Sequence, residues 1–289
     1  MRIVTDCAAD LTAEELSGLE ITQAPLYIQF PEGEVNAIDI EADDFYDRLE
    51  AMRPSIPTTA QPSSGMFADL YRRLIRAGES VLSIHISSGL SGTINSARAG
   101  AEEAGLEERV SLWDTMTLSG GERFQVLAAA WASRLGWGME RIQDRLAEIR
   151  SATEVIYTLE TLEYLARGGR IGRVQALAGS LLKLKPVIRV AHEDGKYSTA
   201  GRSRTIPQAL EVIADQLHEL YGTTPLWVTI LHGRFQQGAD ALADLLSKRL
   251  ALARSEVARI SPVLGVHTGP SIVGAAVVPY ELLEGLGPS

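Results

Sequence analysis

An apolar run over residues 81–86 empties into the loop Ser87-Ser88-Gly89-Leu90-Ser91-Gly92-Thr93, and a helical pattern follows over 93–101. No other stretch limits the fold of this chain as much. The run has the length and composition of a buried strand. A strand, a turn of small residues and a helix gather backbone N–H groups and hydroxyls at the positive end of a helix dipole. That place suits an anionic group, of a kind the stretch alone does not specify. The turn is not a Walker A loop, because no glycine leads into Lys-Ser or Lys-Thr. It is not a G-x-S-x-G nucleophile elbow either, because Gly92 follows Ser91 directly.

The rest of the N-terminal half repeats the alternation. Strands are expected at 2–6, 21–30 and 110–114, and helices at 13–19, 42–52, 66–77, 118–135 and 139–149. Ser64 is the expected cap of the 66–77 helix. This order predicts an α/β layer with a largely parallel sheet, whose site lies at the carboxyl ends of the strands. Asp6, the 87–93 loop and Asp114 all fall there. Residues 53–65, with three prolines and several hydroxyls, read as an extended loop of the kind that carries function. A second set of elements begins near residue 151. It has strands at 154–158, 226–232, 256–260 and 271–278, and a hairpin formed by 186–191 and 196–200 around His192-Glu193-Asp194-Gly195. Helices are expected at 161–167, 174–184, 205–221 and 236–250, and a loop at 263–269. The chain of 289 residues is thus read as a two-domain α/β protein. Residues 1–150 form a domain with a mostly parallel sheet, and 151–289 a second α/β domain.

A net charge of −10 argues against a nucleic-acid surface over the whole molecule. No apolar run approaches the ~18 residues that span a bilayer, so no stable membrane insertion is expected. The single cysteine, Cys7, excludes an internal disulfide and suits a reducing cytoplasm; a buried, inert thiol is expected. No dense set of His and Cys has metal spacing. His85, in a strand, and His218, in a helix, read as structural, while His232, before Gly233, has the position of a residue lining a cleft. Three small polar clusters remain: Thr58-Thr59, Ser91 and His267. Serine, threonine and neutral histidine donate hydrogen bonds without fixed charge, and converging on one point they suit a carboxylate or a phosphate. Against the acidic whole, Arg167, Arg170, Arg173, Lys183, Lys185 and Arg189 cluster with no acid among them, joined by Arg202 and Arg204. The cluster reads either as a solvated face or as a docking patch.

Four motifs together resemble the DegV family of bacterial fatty-acid-binding proteins. They are Pro57-Thr58-Thr59-Ala60-Gln61-Pro62, Ile86-Ser87-Ser88-Gly89-Leu90-Ser91-Gly92-Thr93, Leu162-Glu163-Tyr164-Leu165-Ala166-Arg167-Gly168-Gly169-Arg170-Ile171 and His267-Thr268-Gly269-Pro270. Leu181-Leu182-Lys183-Leu184-Lys185-Pro186 is similar too, and the matches keep the family's order along the chain. The resemblance implies a two-domain α/β fold that holds one long-chain fatty acid in a buried tunnel. It also implies a carrier without catalysis of its own, which presents the acid to a separate fatty acid kinase. The kinase makes the acyl-phosphate for phospholipid synthesis. Carried over, Thr59 and Ser91 hold the carboxylate, His267 lies close by, and Arg170 lies on the kinase-docking side. The resemblance calls for no cofactor beyond the lipid ligand. Ala60 departs from the family's usual serine. Two other readings stay open on the residues: an esterase or acyl-transfer enzyme using Ser91 and His267, with Asp6 or Asp114 as orienting acid, and a phosphoryl carrier with a reactive histidine.

Overall fold

The computed structural model describes residues 1–75, 79–177 and 184–287. In chain order it contains β1 (Arg2–Asp6), α1 (Ala13–Gly18), β2 (Thr22–Ala24), β3 (Tyr27–Phe30), β4 (Gly33–Asn36), α2 (Ala42–Ala51), β5 (Thr58–Ala60), α3 (Ser64–Leu74), β6 (Val81–His85), α4 (Thr93–Ala104), β7 (Val110–Asp114), α5 (Ser119–Arg134) and α6 (Met139–Ala152). There follow β8 (Glu154–Thr158), α7 (Glu163–Arg167), β9 (Lys185–Val190), β10 (Tyr197–Ser203), α8 (Ile206–Tyr221), β11 (Leu226–His232), α9 (Gln236–Arg249), β12 (Leu252–Arg259), α10 (Pro262–Thr268) and β13 (Val273–Pro279).

The first sheet, β2-β1-β6-β7, is parallel throughout, as the alternation of strands and helices predicts. A six-stranded mixed sheet, β10-β9-β8-β13-β11-β12, is drawn from residues beyond 150. The strand expected over 21–30 breaks in two at Pro25, which lacks the N–H a continuing ladder needs. Its first half ends the parallel sheet. Its second half, β3, joins β4 and β5 in a small antiparallel sheet. The proline-rich stretch is therefore not all loop, because Thr58–Ala60 pairs with β3. Ser63, one residue before the expected cap, caps α3 through Met66 N–H. Of the helix expected over 174–184, the described residues begin as a 3-10 stretch, Gly172–Leu177, and residues 178–183 lie outside the described residues. Lys183 and the Leu181-Leu182-Lys183 part of its motif lie outside the described residues.

Helix α5 holds the two large sheets together. It packs on β1 and β6 on one side and on β8 and β13 on the other, and residues 119–132 are all buried. Phe124 and Trp131 meet Trp227 of β11, with ring centroids 5.4 and 6.0 Å apart. The guanidinium of Arg123, also buried, pairs with Glu15 of α1 and Glu256 of β12. The expected division at 150/151 falls in the last turn of α6. Cys7 is buried, and burial holds its thiol well above the ordinary range. No described helix is long and apolar enough to cross a membrane.

Candidate functional site

Three segments far apart in sequence meet beyond the carboxyl ends of β2 and β6. Strand β5 brings Thr59, the loop after β6 brings Ser91, and the last turn of α10 brings His267. All three line one cleft of about 40 Å³, together with Leu26, Ile86 and Tyr197. Thr59 Oγ1 lies 2.8 Å from His267 Nε2, across 208 residues of chain. The stretch around His267 was expected to be a loop. It is a helix, because Ser261-Pro262 gives a favourable first turn and Gly269, at φ 75°, ends it. Its seven residues are all buried, so no amphipathic period betrays it in the sequence.

Burial, helped by the charge of Arg170, pushes the His267 imidazole down to about 3, so the ring is neutral near pH 7. Its Nδ1 has no partner among the described residues. The reason is Gly168: a Cβ there would stand 2.2 Å from Nδ1, so the glycine lets the chain close over the ring. An N–H buried without a partner is rarer than an unsatisfied acceptor. The favoured tautomer therefore places the proton on Nε2, which donates to Thr59 Oγ1 and leaves the Thr59 O–H free to donate into the cleft. Ser91 is arranged alike. Its Oγ accepts the Thr93 N–H at 3.3 Å and lies 2.8 Å from Thr93 Oγ1, a pair in which either oxygen can donate; with Thr93 as donor the Ser91 proton is free for the cleft. The cleft thus offers two neutral O–H donors whose acceptor sides are already engaged.

The glycine-rich loop works differently from an N–H cradle. The N–H groups of Ser88, Gly89, Leu90, Ser91 and Thr93 all bond within the protein, to Asp114, Ser87 and Ser91. Gly89 is there for close approach. A Cβ at that position would stand 2.4 Å from the Asp194 carbonyl oxygen, in the turn of the β9–β10 hairpin. Ser87 Oγ donates to Gly195 O at 2.8 Å and fixes the same contact. These five amides are engaged within the protein, and the Thr59 and Ser91 hydroxyls line the cleft.

Beyond Leu264 of α10, which lines both spaces, lies a small apolar cavity of about 20 Å³ walled by Leu118, Val155, Tyr157, Leu231 and Ile272. Tyr157 meets Tyr197 of the cleft edge to face, 5.8 Å between centroids. Gln61 also lines the cleft, two residues beyond Thr59 and so on the same side of the strand direction. Sequence reasoning gave it no role, although that spacing was the available signal.

Arg170 is half-buried, lines the cleft and donates to Gly168 O at 2.7 Å and Leu90 O at 3.4 Å. The other described cations around it are neutralised: Arg167 by Glu163, Arg173 by Asp194, Lys185 by Glu160 and Arg189 by Glu154. A free basic patch over 167–189 is thus not what the described residues form. His85 is structural, bonded to buried Asp6 at 3.0 Å and Ser83 at 2.8 Å. His218 is bonded to Arg249 O, and His232 accepts from Phe235 N–H. Asp114 accepts from Ser88 and Met116 N–H. Ser91 and His267 bond to Thr93 and Thr59 rather than to each other, and neither Asp6 nor Asp114 orients His267. The nucleophile–base–acid chain that an esterase needs is not assembled.

A model of the DegV family matches residues 1–280. A DegV domain-containing protein of Deinococcus radiodurans is 38% identical over 278 residues, covering 96% of this chain and 95% of that protein. One from Clostridium perfringens is 36% identical over 277 residues, covering 95% and 97%. The fold is similar to a DegV family protein of Thermus thermophilus described for fatty acid binding, with TM-score 0.89, 32% identity and coverage of 96% and 100%. It is also similar to a stearic acid-binding protein of Eubacterium ventriosum, with TM-score 0.86, 26% identity and coverage of 97% and 99%.

Proposed function

Because this chain belongs to the DegV family, we propose that it binds one long-chain fatty acid and carries it, in the cytoplasm, to a separate fatty acid kinase that makes the acyl-phosphate for phospholipid synthesis. The carboxylate sits on Thr59 and Ser91 with His267 behind them, and the tail runs past Leu264 between the apolar walls of the small cavity, which part to admit it. The observation that supports this best is the junction of two unlike spaces at Leu264: free O–H donors on one side, an apolar pocket on the other. Each buried methylene contributes about 0.8 kcal/mol, so a C16 tail supplies on the order of 10 kcal/mol before the costs of association. The hydroxyls keep the buried carboxylate paired and fix which end of the lipid faces outward.

Native mass spectrometry of protein purified from a bacterial host tests the binding. One fatty acid per chain, lost on denaturation, is expected; a protein of bare polypeptide mass that also takes up no added palmitate overturns it. Arg170 contributes an unneutralised charge at the cleft, which suits the docking of a kinase or its nucleotide. Arg170→Glu should leave palmitate binding within about threefold of wild type and abolish kinase-dependent acyl-phosphate formation; unchanged turnover removes the docking role.

A further inference from the structure

Helix α10 lines both the cleft, through Val263, Leu264 and His267, and the apolar cavity, through Leu264 and Thr268. With seven residues it has almost no stability of its own, so its position depends on what holds its ends. Its start is held by one side chain. Asp10 Oδ1 accepts the N–H of Ser261 at 2.8 Å, and Asp10 Oδ2 accepts the hydroxyl of Ser119. Ser119 is the first residue of α5 and a wall of the apolar cavity. Asp10 and Ser119 both have left-handed backbone, at φ 52° and 53°. Non-glycine residues hold that conformation where the surroundings impose it. Here the two strained residues are bonded to each other and to the start of the helix that carries His267.

We propose that Asp10 is the positioning residue of the fatty-acid site: its carboxylate ties α10 to Ser119 and thereby sets how tightly the head-group cleft and the tail cavity receive the ligand. This rests on the fatty-acid reading above. Asp10 acts through α10 and touches no ligand. As a carboxylate it accepts both bonds with charge assistance. As a neutral acid it holds the Ser261 N–H more weakly, and the oxygen facing Ser119 becomes a donor. Burial pushes this carboxyl up to about 6, against the opposing pull of the Ser119 and Ser261 bonds and the charge of Arg123. The change in α10 anchoring therefore falls within a readily measured range. The ionisable groups around Asp10 are Arg123 and Glu122 of α5, Cys7, and Tyr46 of α2. His267, at the other end of α10, stays neutral down to about 3.

The test measures palmitate affinity from pH 5 to 8 for wild type, Asp10→Asn and Ser119→Ala. Asparagine keeps the shape and the bond from Ser261 N–H, turns the Ser119 bond round so that the amide donates, and cannot ionise. At pH 8 wild type should bind about five- to tenfold tighter than Asp10→Asn, as befits the loss of charge assistance, and the ratio should fall toward one at pH 5. Ionisation of the lipid is common to both proteins and cancels in the ratio; Glu122 feels the Asp10 charge and differs between them, and Ser119→Ala, which keeps Asp10, controls for that. Ser119→Ala removes a bond that favours the ionised form, so it should move the inflection above 6. It provides the readout should Asp10→Asn not fold. A ratio constant across pH, or an inflection unmoved in Ser119→Ala, overturns the positioning role while leaving fatty-acid binding intact. Wild type that binds no palmitate at any pH overturns the underlying reading instead.

Discussion

Replacing Thr59 by valine removes one hydroxyl and almost no volume; the structure gives that hydroxyl one partner and the proposed function a second. One is His267 Nε2, 2.8 Å away on a ring whose other nitrogen has no partner among the described residues. In Thr59→Val the ring keeps neither bond, and leaving such a buried polar group unsatisfied costs about 1–3 kcal/mol. For a chain of this size each kcal/mol lowers the melting temperature by about 2–4 °C, so the lipid-free variant should melt several degrees below wild type. The second partner, on the proposed function, is the ligand carboxylate. A hydrogen bond to a charged acceptor is worth about 1.5–3 kcal/mol, or roughly ten- to 150-fold in Kd. The loss should be specific to the acid. Titration calorimetry with palmitate and with hexadecanol separates head from tail: palmitate should weaken by at least tenfold, and hexadecanol by less than about threefold. Thr59→Ser returns the hydroxyl and should recover most of both effects. If Thr59→Val binds palmitate within twofold of wild type, or loses palmitate and hexadecanol equally, Thr59 does not hold the carboxylate and the head-group argument fails.

Two further outcomes follow from the same site. In Gly168→Ala a methyl would stand 2.2 Å from His267 Nδ1. It should displace the ring, cost about 1–3 kcal/mol of stability by overpacking and weaken palmitate; wild-type melting and binding would refute the close approach. His267 stays neutral down to about 3 in the folded protein but takes up a proton near 6.5 when unfolded. Between those values the unfolded state binds more protons, so stability should rise with pH by up to about 1.4 kcal/mol per unit, fully present only above 6.5. Chemical denaturation of wild type and His267→Gln between pH 4 and 7 checks this, and equal slopes for the two would refute it.

What the sequence made legible was whatever repeats locally. The parallel order of β1, β6 and β7, the amphipathic helix after Thr205 and the hairpin around Gly195 follow from periodicity, caps and turn residues. What it hid was decided by tertiary contact. The β5 strand looks like loop because its three residues sit among prolines, and it exists through pairing with Tyr27, Ile28 and Gln29. Helix α10 looks like loop because every residue is buried and Gly265 interrupts it; that glycine lets the helix lie against Phe45 and Tyr46, whose side-chain atoms would stand 2.7–2.8 Å from a Cβ there. The loop after β6 looked like an N–H cradle because the glycines permit one. In the fold Gly89 serves the hairpin and the amides bond inward. The basic cluster looked like a patch because its acids come from elsewhere in the chain, Asp194 and Glu154 among them.

The choice of hydroxyls over an arginine at the centre of the cleft has a consequence for any ligand that must later react. A bidentate guanidinium clamp would bind a carboxylate strongly and hold its lone pairs in two parallel bonds. That stabilises the ground state, and interactions equally strong before and during reaction do not speed it. On the proposed function, two neutral O–H donors pair the buried anion more weakly and leave lone pairs free. The apolar tail, worth on the order of 10 kcal/mol, makes up the affinity that the weaker head group forgoes. The nearest cation, Arg170, is held toward the Gly168 and Leu90 carbonyls at the edge of the same cleft. From there its charge adds to burial in keeping His267 neutral and, on the proposed function, stands where negative charge would gather once a phosphoryl group is added. The arrangement divides binding from reactivity. Moving an arginine into the Ser91 position should therefore tighten palmitate binding while slowing its phosphorylation; faster phosphorylation in Ser91→Arg would refute the division.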